Sequence, residues 1–464
     1  MNRGKKLGNN VILMTIGNIG SKILTFLLVP LYTSCLSSND YGISDLILTT
    51  VSFLLPIFSI QISEALLRFA LDKEIDDKQV FSIGLRINII GTFFLLMASP
   101  FILLIPLLKD YYLYFIAYYI TYCIYVSISN FTCGLGKVKL YTIIGVFQTS
   151  TLLIGNILAL MIFKLGIRGF LFSYILSYGL SSLGLLLFGK EYKLFLPNKR
   201  VDKNIQRKMI EYSLPMIPNS VSWWISNSSD KYILTAICGT TVMGIYSVAY
   251  KIPTILSVFY SVFMSAWRIS SVDDFGSEDT KLFYSNVYKK IEAGLFVIAA
   301  LIMLFNKVLS KILYANEFFE ARFFVPILVI AFLLHGLGEF FGSVYTASKK
   351  TNMLFYSSLS GAIVNIILNC LMIPFMAGFG AALATLISYG VVLIIRIRHT
   401  KTIMDFHINF LNSSIGLMLL IGICIAQTIE IKGSTIYSFI MVTILIVFER
   451  KEIEEVVSNF LKGL

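Results

Sequence analysis

The chain has 464 residues, is 57% hydrophobic, and carries a formal net charge of +12 on only 14% charged residues. Its mean hydropathy is +0.80. A soluble chain of this length needs far more charge to cover its surface, so the composition excludes a soluble globular fold. The six cysteines are scattered through apolar runs without metal-site spacing, which points to small buried hydrophobes and to neither a disulfide framework nor a metal site.

Apolar runs of spanning length recur from end to end. They predict an all-α polytopic membrane protein with fourteen helices, at about 9–36, 43–70, 80–106, 112–133, 140–163, 168–189, 211–238, 244–269, 283–309, 323–347, 352–374, 378–397, 408–429 and 434–449. The first run is too long for a cleaved signal peptide and lacks its small-residue site, so it reads as an uncleaved first span. With Arg3, Lys5 and Lys6 in the cytoplasm, alternating topology places most of the 38 Lys and Arg inside. That bias is the positive-inside rule, and it puts both termini in the cytoplasm. It also accounts for the basic balance without nucleic acid.

The longest loop, "GKEYKLFLPNKRVDKNIQRKMI" at 189–210, follows the sixth span. It reads as a basic cytoplasmic linker (190–210) between six-helix lobes at 1–189 and 211–400, with two further helices and a tail at 401–464. "LYTSCLSSNDYGIS" (31–44) and "ILTAICGTTVMGIY" (233–246) echo each other weakly. Two halves in the same orientation imply a parallel repeat. No loop can house an ATPase or a large catalytic domain, and no phosphate-binding G-x-x-x-x-G-K-[ST] loop is present. Nor is there a G-x-S-x-G or H-E-x-x-H motif. No catalytic residue, metal ligand or cofactor site is expected, and an integral-membrane polymerase or ligase is disfavoured by the short outer loops.

Charge inside the membrane costs at least ~2.5–3.5 kcal/mol on insertion scales, so such residues face protein or water. Lys22 lies about 13 residues into the first span, roughly 20 Å along a helix. Glu64 and Arg68 are spaced i, i+4 and can pair, as can His335 and Glu339. Arg86, Asp230, Lys231, Lys251 and Arg268 complete the set. Arg68, Arg86 and Arg268 are close enough to the cytoplasmic ends to snorkel.

The seventh span contains "PMIPNSVSWWISNSSDKYIL". On a helix, Asn219, Trp223, Asn227 and Asp230 form one stripe and Ser220, Trp224, Ser228 and Lys231 a second. Only a narrow strip of Ile217, Val221, Ile225 and Tyr232 suits lipid. Asp230 and Lys231 point about 100° apart and should not pair, so each requires a partner elsewhere or a ligand. Cations bind phosphate, and indoles stack on sugar rings with the N–H free to donate. The tyrosines of "YYLYFIAYYITYCIY" (111–125) are expected in interfacial belts.

The stretches "NIGSKILTFLLVPLYTSCLSSNDYGISDLI", "ISEALLRFALD" and "IPNSVSWWISNSSDKYILTAICGTTVMGIYSVAYKIPTIL" resemble the polysaccharide-transport, or O-antigen flippase, family. Its superfamily includes multidrug and toxin extrusion transporters and peptidoglycan-precursor flippases. The resemblance implies two six-helix lobes in a V around a cationic cavity, alternating access, and a bacterial inner membrane. The implied cargo is an undecaprenyl-diphosphate-linked glycan, with membrane lipid and glycan polymerase and chain-length proteins as partners. The two extra helices would lie beside a groove for the lipid tail. Lys22, Arg68, Arg86, Asn219, Trp223, Trp224, Asn227, Lys231 and Lys251 are then the candidate substrate-binding residues. Glu64, Asp230, His335 and Glu339 are candidates for coupling to a proton or sodium gradient. The alternative is an organic-cation antiporter of the same superfamily, which the lumen cations oppose.

Overall fold

A computed structural model describes residues 3–72, 74–194, 201–273, 279–348, 350, 352–404, 406–430 and 432–455. The chain divides into two compact units, Met1–Ile225 and Ser226–Leu464.

The first unit contains α1 (Arg3–Cys35), α2 (Ser38–Phe58), α3 (Ile62–Ala70), α4 (Asp77–Ala98), a 3-10 turn (Ser99–Leu104) and α5 (Pro106–Lys109). It continues with α6 (Tyr112–Gly134), α7 (Val138–Asn156), a π-helical extension (Ile157–Ile162), α8 (Gly166–Gly189) and α9 (Lys203–Ser213). Local chemistry marks the starts. The Ser37 hydroxyl accepts from the Asp40 N–H, and the carboxylates of Asp76 and Asp202 do the same for α4 and α9. α1 packs along α7, and α6 lies against α8 and α3.

The unit boundary falls inside α10 (Met216–Ala249). The second unit continues with α11 (Thr254–Asp273), α12 (Thr280–Leu304), α13 (Asn306–Leu313), a 3-10 helix (Asn316–Phe323) and α14 (Val325–Ala347). It ends in α15 (Asn352–Ile403), α16 (Phe410–Ile429) and α17 (Ser434–Phe448). α14 packs against α15, while α16 and α17 pack on α12. α14 is buried along most of its length, so it forms the centre of the unit.

Among the described residues, nine helices are long and apolar enough to cross a membrane. A tenth is counted if α12 and α13, bent by 62°, form one span; three shorter apolar helices lie at Ile19–Cys35, Thr254–Met264 and Ser434–Phe448. α15 is two helices in one, interrupted at Ala377 where φ is 45°. The helices fall on the fourteen predicted segments, but several are not straight. The predicted span 43–70 breaks at Ile60 and Gln61, both with positive φ, before α3 begins. Such backbone is costly for a β-branched residue and is held here by bonds from the Ser59, Ile60 and Gln61 N–H groups to the last carbonyls of α2. The predicted span 244–269 is divided by a turn at 250–253, just before α11. α10 is likewise two helices in one, interrupted at Gly239 (φ 84°), a conformation that glycine adopts without steric cost, and the break falls where the predicted seventh span ends.

The basic linker contains a docked amphipathic helix. α9 buries Met209 among Leu66, Phe81, Ile83 and Phe131, and exposes Lys203, Arg207 and Lys208. The Asp202 N–H donates to the Gln79 side chain. Residues 195–200 of the linker lie outside the described residues.

Candidate functional site

The second unit concentrates its polar chemistry in the core. Asp230, on α10, is only 2% exposed. Its carboxylate accepts hydrogen bonds from the Tyr250 hydroxyl at 2.7 Å and the Tyr246 hydroxyl at 2.9 Å. Tyr246 lies on α10 beyond the break at Gly239 and Tyr250 in the turn that follows it, so the chain after the break supplies both donors. Sequence periodicity anticipated that Asp230 and Lys231 would not satisfy one another, but it could not find partners 16 and 20 residues away. A buried carboxylate held by two hydroxyls is costly to leave unpaired, which accounts for the tyrosines.

Around Asp230 the polar contacts continue. Ser229 donates to Asn365 at 3.1 Å, and Asn365 and Asn369, one turn apart on α15, are bonded at 2.8 Å. Asn365 also donates to Ser388 on the second arm of α15. The Tyr389 hydroxyl donates to the Asn227 side-chain oxygen at 3.1 Å. Tyr389 packs against His335 with ring centroids 4.8 Å apart. His335 Nδ1 lies 3.1 Å from the Tyr260 hydroxyl.

Glu339 forms an ion pair with Arg396, Nη1 to Oε1 at 3.0 Å. The Arg396 side chain is 3% exposed and also donates to Ser357, Ser358 and the Gly338 carbonyl. In the sequence, Arg396 sits in "LIIRIRHTK" and reads as one more cation flanking a span end. Nothing local distinguishes it from its neighbour Arg398; burial alone does so.

The first unit is different. Lys22 is exposed on α1, and Arg68 and Arg86 are exposed on α3 and α4. Glu64 is half-buried, and among the described residues it forms no ion pair with Arg68.

Trp224 also departs from expectation. Its indole N–H donates to the Thr49 carbonyl at 2.9 Å, and its ring packs 4.3 Å from Phe53. The donor is therefore already engaged by α2. Trp223 is half-buried and Asn219 exposed on the same helix. Lys231 is half-buried, and Lys251 lies in the 250–253 turn, outside any helix. Arg268 lies on α11, but its side chain falls outside the described residues.

Several tyrosines leave the expected belts for the interior. Tyr118 and Tyr119 are buried on α6. Tyr118 and Tyr122 stack at 5.7 Å, and Tyr178 of α8 packs within 5.0–5.9 Å of Tyr118, Tyr122 and Tyr125. Among the described residues no cluster of His, Cys, Asp or Glu could hold a metal ion in the manner of a ligand triad.

The polysaccharide biosynthesis protein family profile matches residues 7–268. The chain belongs to that family. An uncharacterized membrane protein of Methanocaldococcus jannaschii is 26% identical over 419 residues, covering 83% of this chain and 97% of that protein. The fold is similar to that of lipid II flippase MurJ in an inward closed conformation, with a TM-score of 0.73 at 14% identity, over 97% of this chain and 100% of that one. It is also similar to an outward-facing MATE family multidrug resistance transporter of the MOP superfamily, with a TM-score of 0.59 at 14% identity, over 86% of this chain and 96% of that one. A third likeness is to a MOP superfamily transporter from Pyrococcus furiosus whose binding pocket has reversed polarity, with a TM-score of 0.56 at 12% identity, over 85% of this chain and 96% of that one. The chain is thus a multi-pass membrane protein of the polysaccharide biosynthesis family with a flippase- and transporter-like fold.

Proposed function

We propose that this protein is a flippase for an undecaprenyl-diphosphate-linked oligosaccharide, moving it from the cytoplasmic to the periplasmic leaflet of a bacterial inner membrane, with both termini cytoplasmic. The observation that carries this reading is membership of the polysaccharide biosynthesis family. The chain-long likeness to a lipid II flippase supports it, as does the allocation of charge. In the second unit, buried Asp230 already accepts from two tyrosines and half-buried Glu339 is already paired with Arg396. An organic-cation exporter would need such carboxylates turned toward its cargo.

Lys22, Lys231 and Lys251 bind the diphosphate in this reading, with Arg68 and Arg86 as outlying cations. A diphosphate is recognised through charge-assisted hydrogen bonds from ammonium and guanidinium groups. Trp223, Asn219 and Asn227 contact the glycan; Trp224 supports them from its packing against α2. A proton or sodium gradient drives the cycle through the Asp230 region, with Glu64, His335 and Glu339 as further coupling candidates. Glycan polymerase and chain-length proteins receive the product.

The test is the leaflet distribution of the lipid-linked oligosaccharide in a deletion strain, alone and complemented by wild type or by Lys22→Ala/Lys231→Ala. Cytoplasmic-leaflet accumulation rescued only by wild type is the expected result. Normal translocation in the deletion strain, accompanied by sensitivity to cationic drugs, would replace the flippase with the antiporter.

A further inference from the structure

The first unit contains a small polar cavity of about 170 Å³ between α1, α6 and α7. Its walls include Ser21, Tyr125, Tyr141, Thr142, Gln148 and Thr149. Drug-sized pockets run to ~300–1,000 Å³, so this one has room for a single small polar unit. Its polar groups are only partly engaged. The Gln148 amide N–H donates to Ser177 at 3.2 Å, while its carbonyl oxygen and the Tyr141 hydroxyl make no hydrogen bond among the described residues. Thr142 and Thr149 donate to the carbonyls of their own helix, at Val138 and Gly145, and keep acceptor capacity. Hydroxyls, an amide and two aromatic rings around one small space match the surface of a pyranose, which carries hydroxyls at its rim and C–H groups on its faces. A hydrocarbon chain would leave these polar groups unpaired.

We propose that this cavity binds one sugar ring of the cargo. The inference rests on the flippase reading and deepens it. Gln148 and Tyr141 contribute hydrogen bonds to sugar hydroxyls, and Tyr125 and Tyr141 offer ring faces.

Gly145 supplies the means to close the cavity. A Cβ built there meets nothing within 4 Å, so a leucine side chain enters open space. The experiment is native mass spectrometry of the purified full-length protein with two probes, undecaprenyl diphosphate and undecaprenyl diphosphate carrying one N-acetylglucosamine. Wild type is expected to prefer the glycosylated probe by about tenfold, a difference of ~1.4 kcal/mol. Gly145→Leu is expected to abolish that preference and retain affinity for the bare carrier. Gln148→Ala, which adds no bulk, is expected to reduce the preference and guards against misfolding of the first variant. Ile154→Trp, at an exposed site on α7, serves as the control. Equal binding of the two probes by wild type, or an unchanged preference in both cavity variants, would overturn this inference while carrier binding upheld the flippase reading; a cavity that holds only water gives the same pattern. Binding of neither probe would overturn both.

Discussion

The two units of this protein handle polarity inside a membrane in opposite ways. The second unit buries formal charge and satisfies it internally: Arg396 with Glu339, Asp230 with Tyr246 and Tyr250. The first unit keeps Lys22, Arg68 and Arg86 exposed and packs Tyr118, Tyr122, Tyr125 and Tyr178 against one another. A neutral hydroxyl costs far less to bury than an ion, so the first unit's core tolerates incomplete pairing. Tyr119 illustrates this, since its buried hydroxyl has no hydrogen-bond partner.

The largest expected effect comes from breaking the buried pair. Arg396→Met leaves the half-buried Glu339 without its guanidinium and the Arg396 site without its hydrogen bonds, and should destabilise the second unit by about 3–5 kcal/mol, measured by thermal or denaturant unfolding in detergent. The Arg396→Met/Glu339→Gln double variant should recover much of that loss. Equal instability in the double variant would show that Arg396 matters through its bonds to Ser357, Ser358 and Gly338 rather than through charge. Next, Tyr250→Phe removes the 2.7 Å bond to Asp230, which also accepts from Tyr246 and the Lys231 N–H, and should cost roughly 1.5–3 kcal/mol, the range for a hydrogen bond to a charged group. In the first unit, Lys22→Ala should change stability by less than about 0.5 kcal/mol, as expected for an exposed site, yet lower transport in the leaflet assay. A large loss of stability would place Lys22 in the fold instead.

The smallest effects are pH-dependent and differ in sign between units. Glu191, beyond the end of α8, is 1% exposed, and burial raises its carboxyl above the ordinary value, opposed by the bond from Thr132 and by Lys137. A raised carboxyl favours the protonated fold, so its contribution is complete below the unfolded value and is lost as pH rises through the folded one. Glu191→Gln should therefore flatten the decline in melting temperature across that window. Glu430, at the end of α16, is lowered by the hydrogen bond from Arg322, despite some burial, with the charges of Arg322 and Lys307 adding to the shift. Its contribution is present above the ordinary carboxylate value and lost as pH falls through the folded one. Glu430→Gln should produce only a slight change, because the pair is exposed and screened.

Much of the fold was legible in advance. Apolar runs of spanning length located the helices because each must satisfy its own backbone in lipid. The stripes on α10 correctly signalled that Asp230 would need a partner elsewhere. What periodicity could not supply was direction: it read 43–70 and 244–269 as continuous, because hydropathy is blind to a change of φ at Ile60 or to the turn before α11. The site was less legible than the fold. Trp224 looked available for sugar until α2 engaged its N–H, and the i, i+4 rule paired Glu64 with Arg68 on spacing alone.

By itself, the sequence determined that the chain enters a membrane, where its helices lie, and which few residues carry charge there. Those properties are additive along the chain and follow from transfer energetics residue by residue. Tertiary structure decided which charges are spent and which remain available. Arg396 and Arg398 are near-identical in sequence, yet one is clamped beneath α14 and the other is left exposed. The pairing of a buried ion depends on donors brought from distant segments within hydrogen-bond reach, and that distance is a property of packing rather than of composition.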